Sequence, residues 1–126
     1  MNRAPVLLAA AVWVLTATTV ALLAHSCSRG GQRGGESDRG RQLYMANCAL
    51  CHGADAQGKP ALGKSLVDNE FVSSQSDGEL VEFLAEGRRA NHPLNTKGVD
   101  MPPRGGNPGL GDADLQAIVS YLRGLG

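Results

Sequence analysis

Five consecutive residues constrain this chain more than any other feature: Cys48-Ala49-Leu50-Cys51-His52, placed directly after a stretch with helical spacing. Two thiols one helical turn apart can add to the two vinyl groups of a single porphyrin, and the next residue sets an imidazole under the iron. The pattern therefore reads as a c-type haem attachment site, with Cys48 and Cys51 as the covalent links and His52 as the proximal ligand. Two other chemistries use similar residues. A thioredoxin-like redox pair requires a βαβ setting, and no stretch here alternates as a strand does. A zinc site requires four ligands, and beyond these three only the distant His92 or Cys27 is on offer.

Composition supports a bound group. The chain has 126 residues and only 4% aromatics. Trp13 lies in an N-terminal apolar run, so the rest of the chain has Tyr44, Phe71, Phe83 and Tyr121 to fill an interior. Small domains short of core material need a disulfide framework, a metal or a bound group, and three cysteines cannot build a multi-bridge framework. One large internal cofactor meets the need. The 12 basic and 12 acidic side chains balance, which excludes a polyanion-binding protein, so nucleic acid is not an expected partner.

The chain divides into three parts. Val6 to Ala24 is uncharged and apolar. It exceeds the roughly 7–15-residue apolar core of a cleaved signal peptide and approaches the about 20 residues needed to span a bilayer. Residues 1–27 are expected to be a signal-anchor or transmembrane helix, with lipidation at Cys27 or cleavage after Ser26 as the rival fates. Residues 28–36 are Gly-rich and aperiodic, as in a flexible linker with a reach of about 17–19 Å. Residues 37–126 form the expected folded domain.

Three helices are expected in that domain. Ser37 or Asp38 can cap the first, which runs to about Asn47. Ser76 and Glu79 make a capping box for a second, with Leu80, Val81, Phe83 and Leu84 as its apolar stripe and Gly87 as its end. Asp112 can cap the third, whose Leu115, Ile118, Val119 and Leu122 recur on one face before Gly124. Gly53 to Asn69 and Arg88 to Gly111 are rich in Gly, Pro and Asn, and too long for plain connectors.

A six-coordinate iron needs a second axial group. Met45 lies too close to Cys48 along the chain to reach the opposite face of the ring. Met101, in a loop stiffened by Pro102 and Pro103, is the favoured ligand. His92 is its rival and would give a bis-imidazole iron of lower potential. The Pro60 carbonyl is the expected acceptor for the other nitrogen of His52. Arg88, Arg89, Lys97 and Arg104 are candidate donors to the propionates.

Taken together, Gly40-x-x-x-Tyr44-x-x-x-Cys48-x-x-Cys51-His52-Gly53, Pro60-x-Leu62, Met101-Pro102 and a last helix with Ile118 and Tyr121 resemble the class I, monohaem cytochrome c family, and Asn69 to Arg88 with Gly105-Gly106-Asn107-Pro108 resemble its membrane-anchored bacterial type. The resemblance covers about the last 90 residues. It implies an all-α fold of about 3–5 helices wrapped around one covalently bound haem c. It also implies that the first and last helices cross closely at Gly40, with Tyr44 and Tyr121 packed there, and that His52 and Met101 ligate the iron.

With both axial positions filled by protein, the expected function is single-electron carriage in a respiratory chain by outer-sphere transfer, as a carrier or cytochrome subunit and not an enzyme. The alternative is a haem domain with a labile sixth ligand, acting as a peroxidase-like or gas-binding module. The expected partners are membrane-bound electron donor and acceptor complexes, together with the bilayer that holds the N-terminal anchor. The haem domain would then lie in the periplasm or on the outer face of the cytoplasmic membrane.

Overall fold

The computed structural model describes residues 28–126. The expected anchor helix, with Trp13 and Cys27, lies outside the described residues. Among the described residues no helix is long and apolar enough to cross a membrane. The compact unit is Gly34–Gly126.

Its elements are helical. Helix α1 spans Ser28–Asn47, α2 Ala49–His52, α3 Glu70–Ser74, α4 Asp77–Glu86 and α5 Asp112–Arg123, with a 3-10 turn at Pro103–Gly106 between α4 and α5. There is no strand among the described residues. The β-type pairing is a single antiparallel bridge between Arg88 and Met101.

Helix α1 begins earlier than the capping signal suggests, so Ser37 and Asp38 lie inside it. No proline falls within residues 28–36 to block the helix there. The four glycines of the stretch 28–36 each cost about 1 kcal/mol relative to alanine in a helix. Gly34 and Gly35 have open space where a Cβ would stand.

Helix α4 follows its sequence signals closely. The Ser76 hydroxyl accepts from the Glu79 N–H at 3.3 Å, and the Glu79 carboxylate accepts from the Ser76 N–H at 2.7 Å. Gly87, at φ +71, ends the helix. The last helix starts one residue earlier than expected: Gly111, not Asp112, is the cap, and the Asp114 carboxylate accepts its N–H at 2.9 Å. Helix α3 was not expected from the sequence. The Asn69 side chain caps it by accepting from the Val72 N–H at 3.2 Å, and Arg123 braces its far end by donating to the carbonyls of Val72 and Gln75.

The core gathers Tyr44 from α1, Val72 from α3, Leu80 and Leu84 from α4, and the apolar face of α5. Tyr44, Leu115, Ile118 and Val119 are its fully buried larger side chains. α1 and α5 meet backbone to backbone at Gly40 and Ala117. Beside that contact the Tyr44 and Tyr121 rings lie 5.3 Å apart, as the resemblance implies, and an Arg39–Asp114 ion pair closes the edge.

Candidate haem site

The end of α1 delivers the cysteines. The Cys48 N–H still donates to the Tyr44 carbonyl at 2.8 Å, and Cys48 then serves as N-cap of the one-turn helix that holds Cys51 and His52. Both thiols are half-buried and unpaired. Burial, reinforced by the neighbouring Cys51, pushes the Cys48 thiol up to about 11, so it is protonated at neutral pH until it reacts. Tyr44 fixes the turn from beneath, its buried hydroxyl donating to the Gly53 carbonyl at 2.7 Å. Burial first, then the nearby Cys48, Tyr121 and Asp55, raise that phenol, so it stays a donor.

The imidazole of His52 is oriented by the chain that follows it. Its Nδ1 lies 2.8 Å from the carbonyl oxygen of Lys64. A carbonyl only accepts, so Nδ1 carries the proton and Nε2 keeps a lone pair for a metal. Such a carbonyl partner is the usual support of a ligating histidine.

The acceptor is therefore Lys64 and not Pro60. Lys59 donates to the Gly63 carbonyl at 3.1 Å and Leu62 to the Lys59 carbonyl at 3.2 Å, which throws Pro60 outward to an exposed position. The returning limb of the loop passes so close to His52 that a Cβ on Gly63 would stand 2.6 Å from the Cys51 oxygen and 3.0 Å from Nδ1. The spacing Pro60-x-Leu62 recurs four residues on as Lys64-x-Leu66. Leu62 is exposed, whereas Leu66 packs on the core, and it is this second pair that serves the site.

Met101 is half-buried against the core. The loop that leads to it is closed at its base: the Arg88 N–H donates to the Met101 carbonyl and the Met101 N–H to the Arg88 carbonyl, both at 2.8 Å. Asn95 ties the two limbs by donating to the carbonyls of Arg89 and Val99, and the Asp100 carboxylate accepts the Ala90 N–H. Pro102 and Pro103 thus continue a segment already held by hydrogen bonds. Asn95 and Asp100 were not singled out from sequence. An Asn two and three residues before Lys97 and Gly98, whose N–H groups it accepts, is the signal of such a turn.

His92 is exposed, and its Nδ1 accepts the Leu94 N–H at 3.1 Å, the behaviour of a loop histidine. The four basic candidates separate. Arg104 is committed to the Leu110 carbonyl and Asp112. Arg88 lies over two phenyl rings. Arg89 and Lys97 are exposed on the loop. Among the described residues no group of three or more His, Cys, Asp or Glu is placed to hold a metal ion.

Two thiols on one turn and an imidazole with a free Nε2 suit a covalently attached haem. The family model described as Cytochrome c matches residues 37–126. The cbb3-type cytochrome c oxidase subunit CcoP of Rhodobacter capsulatus is 32% identical over 88 residues, 69% of this chain and 28% of that protein. CcoP of Rubrivivax gelatinosus is 35% identical over 86 residues, 68% of this chain and 25% of that protein. This chain therefore matches only about a quarter of the length of these oxidase subunits. Cytochrome c-555 of Chlorobaculum thiosulfatiphilum is 32% identical over 85 residues, 68% of this chain and 91% of that protein. No solved structure gives a significant match.

Proposed function

The chain belongs to the cytochrome c family, whose cofactor is covalently bound haem c, and from that premise we propose that it is a membrane-associated carrier of single electrons between respiratory-chain components. The observation that carries this reading is the His52 imidazole, set by the Lys64 carbonyl beside two thiols on the same turn. Haem, when bound, supplies the one-electron couple of its iron.

The rest is the work of this chain. Cys48 and Cys51 would hold the porphyrin by thioether bonds, and His52 Nε2 and the Met101 sulfur, on its closed loop, would be its two iron ligands. Held so, the haem would leave no position for a substrate and would supply outer-sphere one-electron transfer. A thioether ligand favours the ferrous state relative to a second imidazole and raises the potential.

The domain from Ser37 carries nine basic and eleven acidic side chains, too even a balance for strong long-range steering. The N-terminal segment offers another route to partners. An anchored domain meets membrane-bound donors and acceptors at high effective concentration and needs little attraction at a distance. The Gly-rich stretch 28–36, poor in helix propensity and with open space around Gly34 and Gly35, suits a tether. In this reading, and as the family resemblance implies, the haem domain lies in the periplasm or on the outer face of the cytoplasmic membrane. The relatives named as oxidase subunits support a membrane complex as partner.

The test is spectroscopic. Haem staining is expected to survive denaturation, to follow the membrane fraction, and to come from a ferrous protein that does not bind carbon monoxide rapidly. Fast stoichiometric binding of carbon monoxide would replace the carrier with a haem module whose sixth ligand is labile. Recovery of all the haem in the soluble fraction would remove the anchor.

A further inference from the structure

Met101 lies at the end of an exposed loop, and what keeps it in place is the other end of that loop. Residues 89–100 contribute no buried side chain. Their two ends meet in the Arg88–Met101 backbone pair, so Met101 is only as fixed as Arg88. Beneath the pair, Gly87 runs so close to the Met101-Pro102-Pro103 backbone that a Cβ on it would stand 2.3 Å from the Met101 oxygen and 2.7 Å from the Pro103 nitrogen.

Arg88 is itself held by its side chain. The guanidinium carbon lies 4.6 Å from the centre of the Phe83 ring on α4 and 5.0 Å from that of Phe71 on α3. The two rings meet edge to face, 4.9 Å apart. Both packing modes are favourable for a flat cation and two quadrupolar rings, and the stacking uses the planarity that distinguishes arginine from lysine. The ion pairs among the described residues use Arg39, Arg104 and Arg123, so ring contact is the chief anchor of Arg88.

We propose that Arg88, clamped over Phe71 and Phe83, is a positioning residue that sets how firmly Met101 is presented to the iron. The proposal rests on the reading of Met101 as axial ligand. The clamp joins α3, α4 and the ligand loop at one point, and weakening it raises the fraction of time in which the sulfur is away.

Imidazole reads that fraction directly, because it binds the ferric holoprotein only when the sulfur has left. Arg88→Gln is expected to bind imidazole about tenfold more tightly than the parent, the size of effect that loss of a partly desolvated cation–ring contact gives. The denaturation midpoint followed by far-ultraviolet circular dichroism should move little. Phe83→Leu, which removes the ring and keeps apolar volume, should act in the same direction. Arg88→Lys, which keeps the charge, should fall between the parent and Arg88→Gln, and it carries the comparison if Arg88→Gln fails to accumulate.

A parent protein without the ferric sulfur-to-iron charge-transfer band overturns the Met101 reading and this proposal with it. A parent with the band, and an imidazole affinity untouched by Arg88→Gln or Arg88→Lys, overturns the proposal alone. That includes the case in which only the potential shifts, which would assign Arg88 to the haem propionates.

Discussion

The carbonyl oxygen of Ala117 occupies the space that a side chain on Gly40 would need: a Cβ at Gly40 would lie 1.9 Å from it and 3.0 Å from the Cβ of Tyr121. The first and last helices are therefore in backbone contact, and the Tyr44–Tyr121 pair closes over the approach. Gly40→Ala is expected to destabilise the holoprotein by roughly 1–3 kcal/mol or more, as over-packing does. Chemical denaturation measures it, and a loss below about 0.5 kcal/mol, the usual range for surface changes, would contradict the contact.

Gly63 stands in a similar relation to the proximal histidine. Gly63→Ala forces the loop away from Cys51 and lengthens the hydrogen bond between His52 and Lys64. That bond raises the donor strength of the imidazole, which stabilises ferric iron. The variant should show a higher midpoint potential together with a loss of about 1–3 kcal/mol in stability. An unchanged potential would show that the Lys64 carbonyl has no electronic role.

Met101→Ala should keep covalent haem, because Cys48 and Cys51 are untouched, while losing the sulfur charge-transfer band and lowering the potential. His92→Ala should leave both unchanged, since its imidazole is engaged with its own loop. The reverse result would move the axial ligand to His92.

Ser76 holds the exposed Glu79 carboxyl below its ordinary value through side-chain and backbone hydrogen bonds. The sign follows from linkage: the folded group ionises more readily than the unfolded one, so its contribution is complete above the unfolded value of 4.5 and is lost as pH falls through the lower folded value. Ser76→Ala should cost about 1 kcal/mol at neutral pH. It should also reduce the acid sensitivity of the thermal midpoint, and an acid limb identical to the parent would exclude the capping box as its source.

Cys48→Ser combined with Cys51→Ser should yield a domain without cooperative unfolding. Tyr44, Leu115, Ile118 and Val119 are the larger side chains fully buried, too small a set to hold a domain of this length. A sharp thermal transition in the haem-free double variant would show that the polypeptide has a sufficient core of its own.

Much of the molecule was legible in local pattern. The spacing of Leu115, Ile118, Val119 and Leu122 placed the last helix and its buried face, and Ser76 with Glu79 placed the start of α4. Helix α3 escaped because five residues carry too little periodicity to register, although Asn69 before Glu70 is a cap signal. The start of α1 differed because a Gly-rich stretch has neither a stop nor a strong preference.

Cys48, Cys51 and His52 needed no fold to be recognised, since their chemistry depends on separations of three and one along the chain. Determined by sequence alone, then, were the attachment motif and the helical character, while the close helix crossing at Gly40 was what the family resemblance implied. Tertiary structure decided which carbonyl orients His52, because Pro60-x-Leu62 and Lys64-x-Leu66 share one spacing and only burial of the second leucine selects between them. It also decided that Arg88 pairs with Met101, since twelve residues separate them in sequence and the closing hydrogen bonds exist only when the loop returns on itself.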